Sequence, residues 1–272
     1  MAVPSLAALA PRWRLLHSGA ADGVTNMATD AALLAHARRS GEATLRLYAW
    51  EGPTLSLGRH ERARDLFDPG RLRAEGVGVV RRPTGGRALL HHREVTYSVT
   101  APAALTQGES YAAINALLLD ALARLGVRAA LAAPRGRPLR PEGAACFAEP
   151  GAGEVVVDGA KLVGSAQLRE DGALLQHGSI LLADDQPMIA RLRVPVATRD
   201  GTTSRETARP LAAAATLEQT LGHAVEAAAV EAAVAAALTA RVPADPLDPA
   251  LLQADLARLV IAFAAQEWTW RR

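Results

Sequence analysis

Arg81-Arg82-Pro83-Thr84-Gly85-Gly86-Arg87-Ala88-Leu89-Leu90-His91 is the stretch on which the reading of the fold turns. Val77 to Arg82 reads as a strand, Pro83 to Gly86 as a tight loop, and Arg87 to His91 and Val95 to Thr100 as two further strands. Glycine lacks a side chain and tolerates positive φ, so the Gly85-Gly86 turn lets backbone approach a bound group closely. Taken alone, such a turn is ordinarily only a hairpin connection.

Upstream, Arg12 to Ser18 alternates as a short strand, and Asp22 or Thr25 caps a helix from about Met27 to Arg39 that Gly41 ends. Strands at Thr44 to Trp50 and Thr54 to Gly58 flank the turn Glu51-Gly52-Pro53, and Asp68-Pro69 opens a short helix reaching Glu75. Downstream, Ser110 to Leu125 has helical spacing, and residues 133 to 145 read as a long irregular loop delivering Cys146. Asp-Gly pairs at 158–159 and 171–172 mark hairpin turns that separate three strands between Glu154 and Leu182. Alanine-rich helix follows from about Ala213 to Arg241, and a last helix from Leu251 to Trp268. Strands first and helices last predict a mixed α/β or α+β catalytic core, residues 12–242, with a helical C-terminal extension, 243–272, packed on the same unit.

The chain has 272 residues, half of them hydrophobic. A chain of this size buries roughly 75% of its extended surface and needs neither disulfide nor structural metal to fold. Its single cysteine cannot close an internal disulfide. The alanine-rich opening lacks a basic region, and no later stretch is uncharged and apolar for about 20 residues, so a cytoplasmic protein without a membrane segment is expected. Thirty basic against twenty-eight acidic residues give little reason to expect nucleic acid. Twenty-nine of the thirty bases are arginine, and the lone lysine is Lys161. Arginine serves as a surface cation but does not give and take protons near neutrality, so a surviving lysine asks for a chemical explanation. Cys146 and Lys161 are therefore the two suspects.

Several motifs fail. A P-loop needs Lys followed by Ser or Thr, and Leu162 follows Lys161. Gly164-Ser165-Ala166-Gln167 lacks the spacing of a serine-hydrolase elbow. His91 and His92 are adjacent, so on a strand they face opposite ways and cannot grip one metal ion, and no metal site is expected. His91 and His177 serve either as hydrogen-bonded structural residues or as substrate contacts, while Trp268 and Trp270 pack and Arg271 and Arg272 are solvated.

The block from Arg81 to His91, continued by Glu94-Val95-Thr96-Tyr97-Ser98, resembles the acyl-binding loop of the biotin/lipoate protein ligase superfamily. Lipoate ligases usually carry a third glycine where Arg87 stands, and the Gly-Gly-Arg form is similar to the LipM-type octanoyltransferases. Cys146-Phe147 followed by Glu154, then Gly159-Ala160-Lys161-Leu162-Val163-Gly164-Ser165-Ala166-Gln167, then Gln176-His177-Gly178-Ser179, resemble that family's remaining segments, as does Asn26-Met27-Ala28-x-Asp30. The family commonly has Asp after the loop histidine, and His92-Arg93 stand here instead.

The resemblance implies a mainly antiparallel sheet packed with helices, and an enzyme using no cofactor. It implies that Cys146 takes an octanoyl group from an acyl carrier protein thioester and yields it to a lysine of a lipoyl-domain protein such as glycine cleavage H protein, as a monomer. Lys161 is expected to stabilise the thiolate and to relay the amine proton. Arg82, Gly85, Gly86, Arg87, His91, Gly164, Ser165, Ala166, Gln167, His177 and Gly178 are the expected substrate-binding residues. Arg81, Arg82 and Arg87 are expected to dock acidic carriers by charge. An ATP-dependent lipoate or octanoate ligase, an amidotransferase between lipoyl proteins, and a silent module binding lipoyl domains or RNA stand as alternatives.

Overall fold

A computed structural model describes residues 3–133, 147, 151–194, 196–197, 203–204 and 214–271. Asp158 and Asp171 take φ of 49° and 48°, followed by Gly159 and Gly172 at 78°. These left-handed pairs form tight turns whose twist matches that of flanking strands, so the chain from Val155 to Leu181 folds as a meander.

In chain order the elements are β1 (Trp13–Ala21), α1 (Gly23–Ser40), β2 (Ala43–Trp50), β3 (Thr54–Leu57), α2 (Pro69–Ala74), β4 (Gly78–Arg81), β5 (Leu89–His91), β6 (Glu94–Pro102), α3 (Gln107–Arg124), β7 (Ala130–Leu131), β8 (Val155–Val157), β9 (Ala160–Glu170), β10 (Ala173–Leu181) and α4 (Met188–Leu192). A short pair, β11 (Val196–Ala197) and β12 (Thr203–Ser204), precedes α5 (Leu217–Leu221), α6 (Ala227–Thr239), β13 (Ala244–Pro246), α7 (Gln253–Ala264) and α8 (Gln266–Thr269).

The main sheet runs β13-β1-β2-β6-β10-β9-β8-β7, and a second sheet runs β4-β3-β5. Only the β1 pairings with β13 and β2 are parallel in the main sheet, so the fold is α+β on a mainly antiparallel sheet, as expected. Helices α3 and α6 bury Ile114, Leu117, Leu118, Val230 and Val234 with Leu45, Leu47, Val99 and Val163 of the sheet. On the opposite face, α1 packs Met27 and Ala28 with Tyr48 and Trp50, and α7 adds Phe263. Asp22 caps α1 by accepting from the Thr25 amide at 2.8 Å, and Gly41 ends it in the left-handed region. Thr106 and Glu109 form a reciprocal capping box on α3.

Two expected helices are corrected. The alanine-rich run to Arg241 is two helices, because Gly222 takes a left-handed conformation at φ 76° and terminates α5. The last helix is interrupted at Ala265, which is extended (φ −65°, ψ 125°), so α8 turns Trp268 and Trp270 inward. Among the described residues, no helix is long and apolar enough to cross a membrane.

Candidate active site

Strand register brings the pocket together. Gly164 of β9, Ser179 of β10, Thr96 of β6 and Tyr48 of β2 stand in one row across four strands. The next row on the same face is Ala166, His177, Ser98 and Arg46. Side chains two residues apart share a face, so these rows form one wall. Leu89 and His91 of β5 and Arg82 form the opposite wall, with Met27 and Trp50 completing a cavity of about 30 Å³. Seven of the expected binding residues, Arg82, His91, Gly164, Ser165, Ala166, His177 and Gly178, line this one cavity.

A buried charge network supports the main-sheet wall. Asp30, from α1, accepts from Arg46 Nη1 at 2.8 Å, Ser98 Oγ at 2.8 Å and Tyr48 Oη at 3.0 Å, and lies 2.9 Å from His177 Nδ1. Burial alone would raise the Asp30 carboxyl, but the Arg46 charge and the His177 bond more than offset it and hold it below the usual carboxylate range. Burial lowers the His177 imidazole despite its Asp30 partner. A neutral ring beside a carboxylate carries its proton on Nδ1, so Nε2 accepts from Thr84 Oγ1 at 2.7 Å. Thr84 belongs to the glycine loop, and that loop is thereby latched to β10.

Arg82 holds the loop itself, and Arg81 holds the chain beside it. Arg82 donates to Gly85 O at 2.9 Å, Arg87 O at 2.8 Å and Ser56 O at 3.1 Å. Arg81 donates to Glu61 O at 3.0 Å and Thr269 O at 2.9 Å, and also to Gly58 O. Both arginines are buried, so the expected docking charge of Arg81 and Arg82 is corrected: their donors serve backbone carbonyls, not a surface. Arg271 is exposed as expected, but its guanidinium lies over the Trp268 ring and donates to Arg59 O. Gly86 takes φ 97°, and its carbonyl would lie 1.8 Å from any Cβ added at Gly58. The close approach at the turn is therefore backbone on backbone.

His91 stacks on Trp50 at 3.9 Å, with Nδ1 2.8 Å from Glu94 Oε1 and Nε2 2.8 Å from Ser56 Oγ. Trp50 Nε1 donates to Thr96 Oγ1 at 2.8 Å, which with Ser179 Oγ donates to Glu94 at 2.6 Å. Ser165 Oγ lies 2.7 Å from Tyr97 Oη, a hydroxyl whose pKa burial raises. Gln167 is not among the cavity-lining residues; it donates to Ser110 Oγ at 3.1 Å and Gln176 Oε1 at 3.2 Å. Gly85, Gly86 and Arg87 also stand outside the lining, behind Arg82.

Lys161 is 2% exposed, not the solvated hairpin lysine its place after a turn suggests. Its Nζ lies 2.7 Å from Glu154 Oε1, and 5.0 Å from the centre of the Phe147 ring. Glu154 Oε2 accepts from the Gly151 amide at 2.7 Å. A Cβ at Gly164 would stand 2.9 Å from the Phe147 ring and 3.2 Å from Lys161 Cε, so only glycine lets ring and lysine meet there. Cys146, the residue before Phe147, lies outside the described residues, as does the expected loop that delivers it. Sequence reasoning passed over Glu154, Asp30 and Thr84 as site residues. All three stood inside the quoted segments, and a carboxylate spaced to meet the only lysine was the available signal.

Residues 22–239 match the lipoyl protein ligase A/B catalytic domain family. This chain belongs to that family. It is 50% identical to the octanoyltransferase LipM of Kyrpidia tusciae over 196 residues, 67% of this chain and 71% of that protein. Against the octanoyltransferase LipM of Moorella thermoacetica it is 38% identical over 274 residues, spanning 97% and 99% of the two chains. The fold is also that of a bipartite lipoate protein ligase from Thermoplasma acidophilum, with a TM-score of 0.74 at 19% identity over 95% of this chain and 96% of that one. Family membership accounts for the ordered blocks, and the rows of the sheet explain why those blocks meet.

Proposed function

We propose that this family member is a cytoplasmic octanoyltransferase that moves an octanoyl group from an acyl carrier protein thioester, through Cys146, to a lysine of a lipoyl domain such as that of glycine cleavage H protein. The relatives named as octanoyltransferases support the reaction. The observation that carries the assignment of residues is Lys161. It is the chain's only lysine, buried beside the ring of the residue that follows the only cysteine, next to the Gly164 end of the cavity.

The Cys146 thiolate attacks the carbonyl carbon of the carrier thioester; the new C–S bond forms as the carrier's C–S bond breaks, and the carrier leaves as its thiolate. A thioester exchanges for a thioester, so this half is close to neutral and needs no ATP. The Lys161 ammonium stabilises the attacking thiolate by charge. In the second half the acceptor amine attacks, a C–N bond forms, the Cys146 C–S bond breaks, and the amine proton passes by way of Lys161 to the returning sulfur. Glu154 anchors the lysine between these steps.

The test is acyl transfer from octanoyl-carrier protein to a lipoyl domain without ATP, with mass analysis of the enzyme. One octanoyl group on Cys146, and a loss of transfer of at least about 100-fold in Cys146→Ala and Lys161→Ala, is expected. Strict dependence on ATP, or full activity of Cys146→Ala, overturns the reading.

A further inference from the structure

The buried residues of α3 are apolar apart from Ser110 and Asn115, and Asn115 is 1% exposed. Asparagine weakens a helix interior, and a buried amide is costly unless it is hydrogen-bonded. A directed chain of bonds satisfies this one. Its Nδ2 donates to Gly153 O at 2.7 Å, and because a carbonyl only accepts, Oδ1 faces the other way and takes a bond from Gln176 Nε2 at 3.4 Å. Gln176 Oε1 in turn accepts from Gln167 Nε2 at 3.2 Å. From Gln167 to Gln176 to Asn115 each amide donates to the next, and the chain ends on the carbonyl of Gly153, the residue before Glu154. Resting on the Cys146 and Lys161 reading above, we propose that Asn115 is a positioning residue for Lys161, acting through Gly153 and Glu154.

The turn from Gly151 to Glu154 is what the bond secures. Glu154 accepts from Lys161 Nζ at 2.7 Å with one carboxylate oxygen and from the Gly151 amide at 2.7 Å with the other, so the place of the lysine follows the place of this turn. Gly153 takes φ 77° and has no side chain to pack the turn down. Its N–H donates to Ala132 O at 2.9 Å, and the Ala132 N–H donates to Glu154 O at 2.8 Å. That stitch continues β7, two exposed residues at the edge of the sheet, and edges with little buried area open locally at low cost. Asn115 ties the Gly153 carbonyl instead to a helix packed in the core. The same frame reaches the cavity. Gln176 Nε2 also donates to Tyr97 Oη at 3.0 Å, and Tyr97 Oη lies 2.7 Å from Ser165 Oγ, a lining residue. The wall of the cavity and the anchor of the lysine thus share one set of buried amides.

The experiment measures single-turnover acylation of Cys146 by octanoyl-carrier protein, and alkylation of Cys146 by iodoacetamide at pH 7, in wild type, Asn115→Ala, Asn115→Leu, Lys161→Ala and Leu118→Ala. Leu118 is buried in the same helix, so Leu118→Ala controls for lost stability. Misplacing a reacting group by about 1 Å costs up to about 100-fold in rate. Both Asn115 variants are expected to acylate about tenfold more slowly at saturating donor, with the half-saturating donor concentration unchanged. Both are also expected to lose alkylation rate severalfold as the thiolate loses its cation. Leu118→Ala, though less stable, is expected to keep both rates. A folded Asn115 variant that keeps either rate at the wild-type value overturns the positioning role, as does an equal loss in Leu118→Ala. Equal rates in wild type and Lys161→Ala overturn the Cys146 and Lys161 reading instead. Leucine keeps the bulk of the amide and favours helix, so Asn115→Leu is expected to fold even where Asn115→Ala does not.

Discussion

On the main-sheet wall of the pocket the lining groups are side chains hung from strands, and a buried ion pair with its hydrogen bonds holds them. On the small-sheet side the candidate site includes a backbone turn, and Arg82 holds it by filling the Gly85 and Arg87 carbonyls, while Arg81 fills those of Glu61 and Thr269 beside it. Register alone sets which face a side chain takes, but a turn between short strands has no register of its own. It therefore borrows rigidity from guanidinium forks, whose several fixed donors serve several carbonyls at once. Pre-organisation thus comes by two routes, and they should fail differently.

The largest expected effect is on the main wall. Arg46→Met leaves the fully buried Asp30 without its cation, and breaking such a pair by removing one partner costs about 3–5 kcal/mol. Urea unfolding should show it, with activity falling in step because His177 loses its support. A cost below about 1 kcal/mol would remove the distinction between the walls. Arg82→Met is expected to cost about 2 kcal/mol through lost charged hydrogen bonds. Here KM for the acyl donor should rise severalfold, because the glycine turn loosens while the core stays intact. An unchanged KM with a large loss of stability would show that the small wall is ordinary core.

Gly58→Ala pushes a methyl group into the Gly86 carbonyl and is expected to cost about 1–3 kcal/mol, again read as KM more than as unfolding. Gly85→Ala, where a Cβ meets nothing within 4 Å, is the control.

The smallest effect is a pH dependence. Burial keeps the folded His177 below its ordinary pKa, so below about pH 6.5 the unfolded chain binds a proton that the folded one resists. Stability is then lost as the pH falls through that window, by no more than about 1.4 kcal/mol per pH unit. Thermal unfolding at pH 7 and pH 5.5 should show a smaller decline for His177→Gln than for wild type. Equal declines would mean that His177 is not the group responsible.

Much of this was legible beforehand. Asp22, Gly41, Asp68 and the two Asp-Gly pairs punctuate the chain locally, and local chemistry needs no partner to act. The splitting of the alanine-rich run was harder to see, since alanine favours helix throughout and only Gly222 argues against it. The roles of Arg81 and Arg82 were misread for a different reason. A guanidinium is equally suited to solvent and to carbonyl oxygens, and composition does not say which surrounds it.

From the amino-acid order alone came the element types, the expectation that a lone cysteine works with a lone lysine, and the membership of the acyl-binding loop in a known pattern. Each rests on neighbours in sequence or on residue identity. That Asp30 underpins His177, that Thr84 latches the loop, and that Glu154 holds Lys161 was decided only in three dimensions. Asp30 and His177 stand 147 residues apart, and what joins them is the stacking of one helix on strands whose register no local signal encodes.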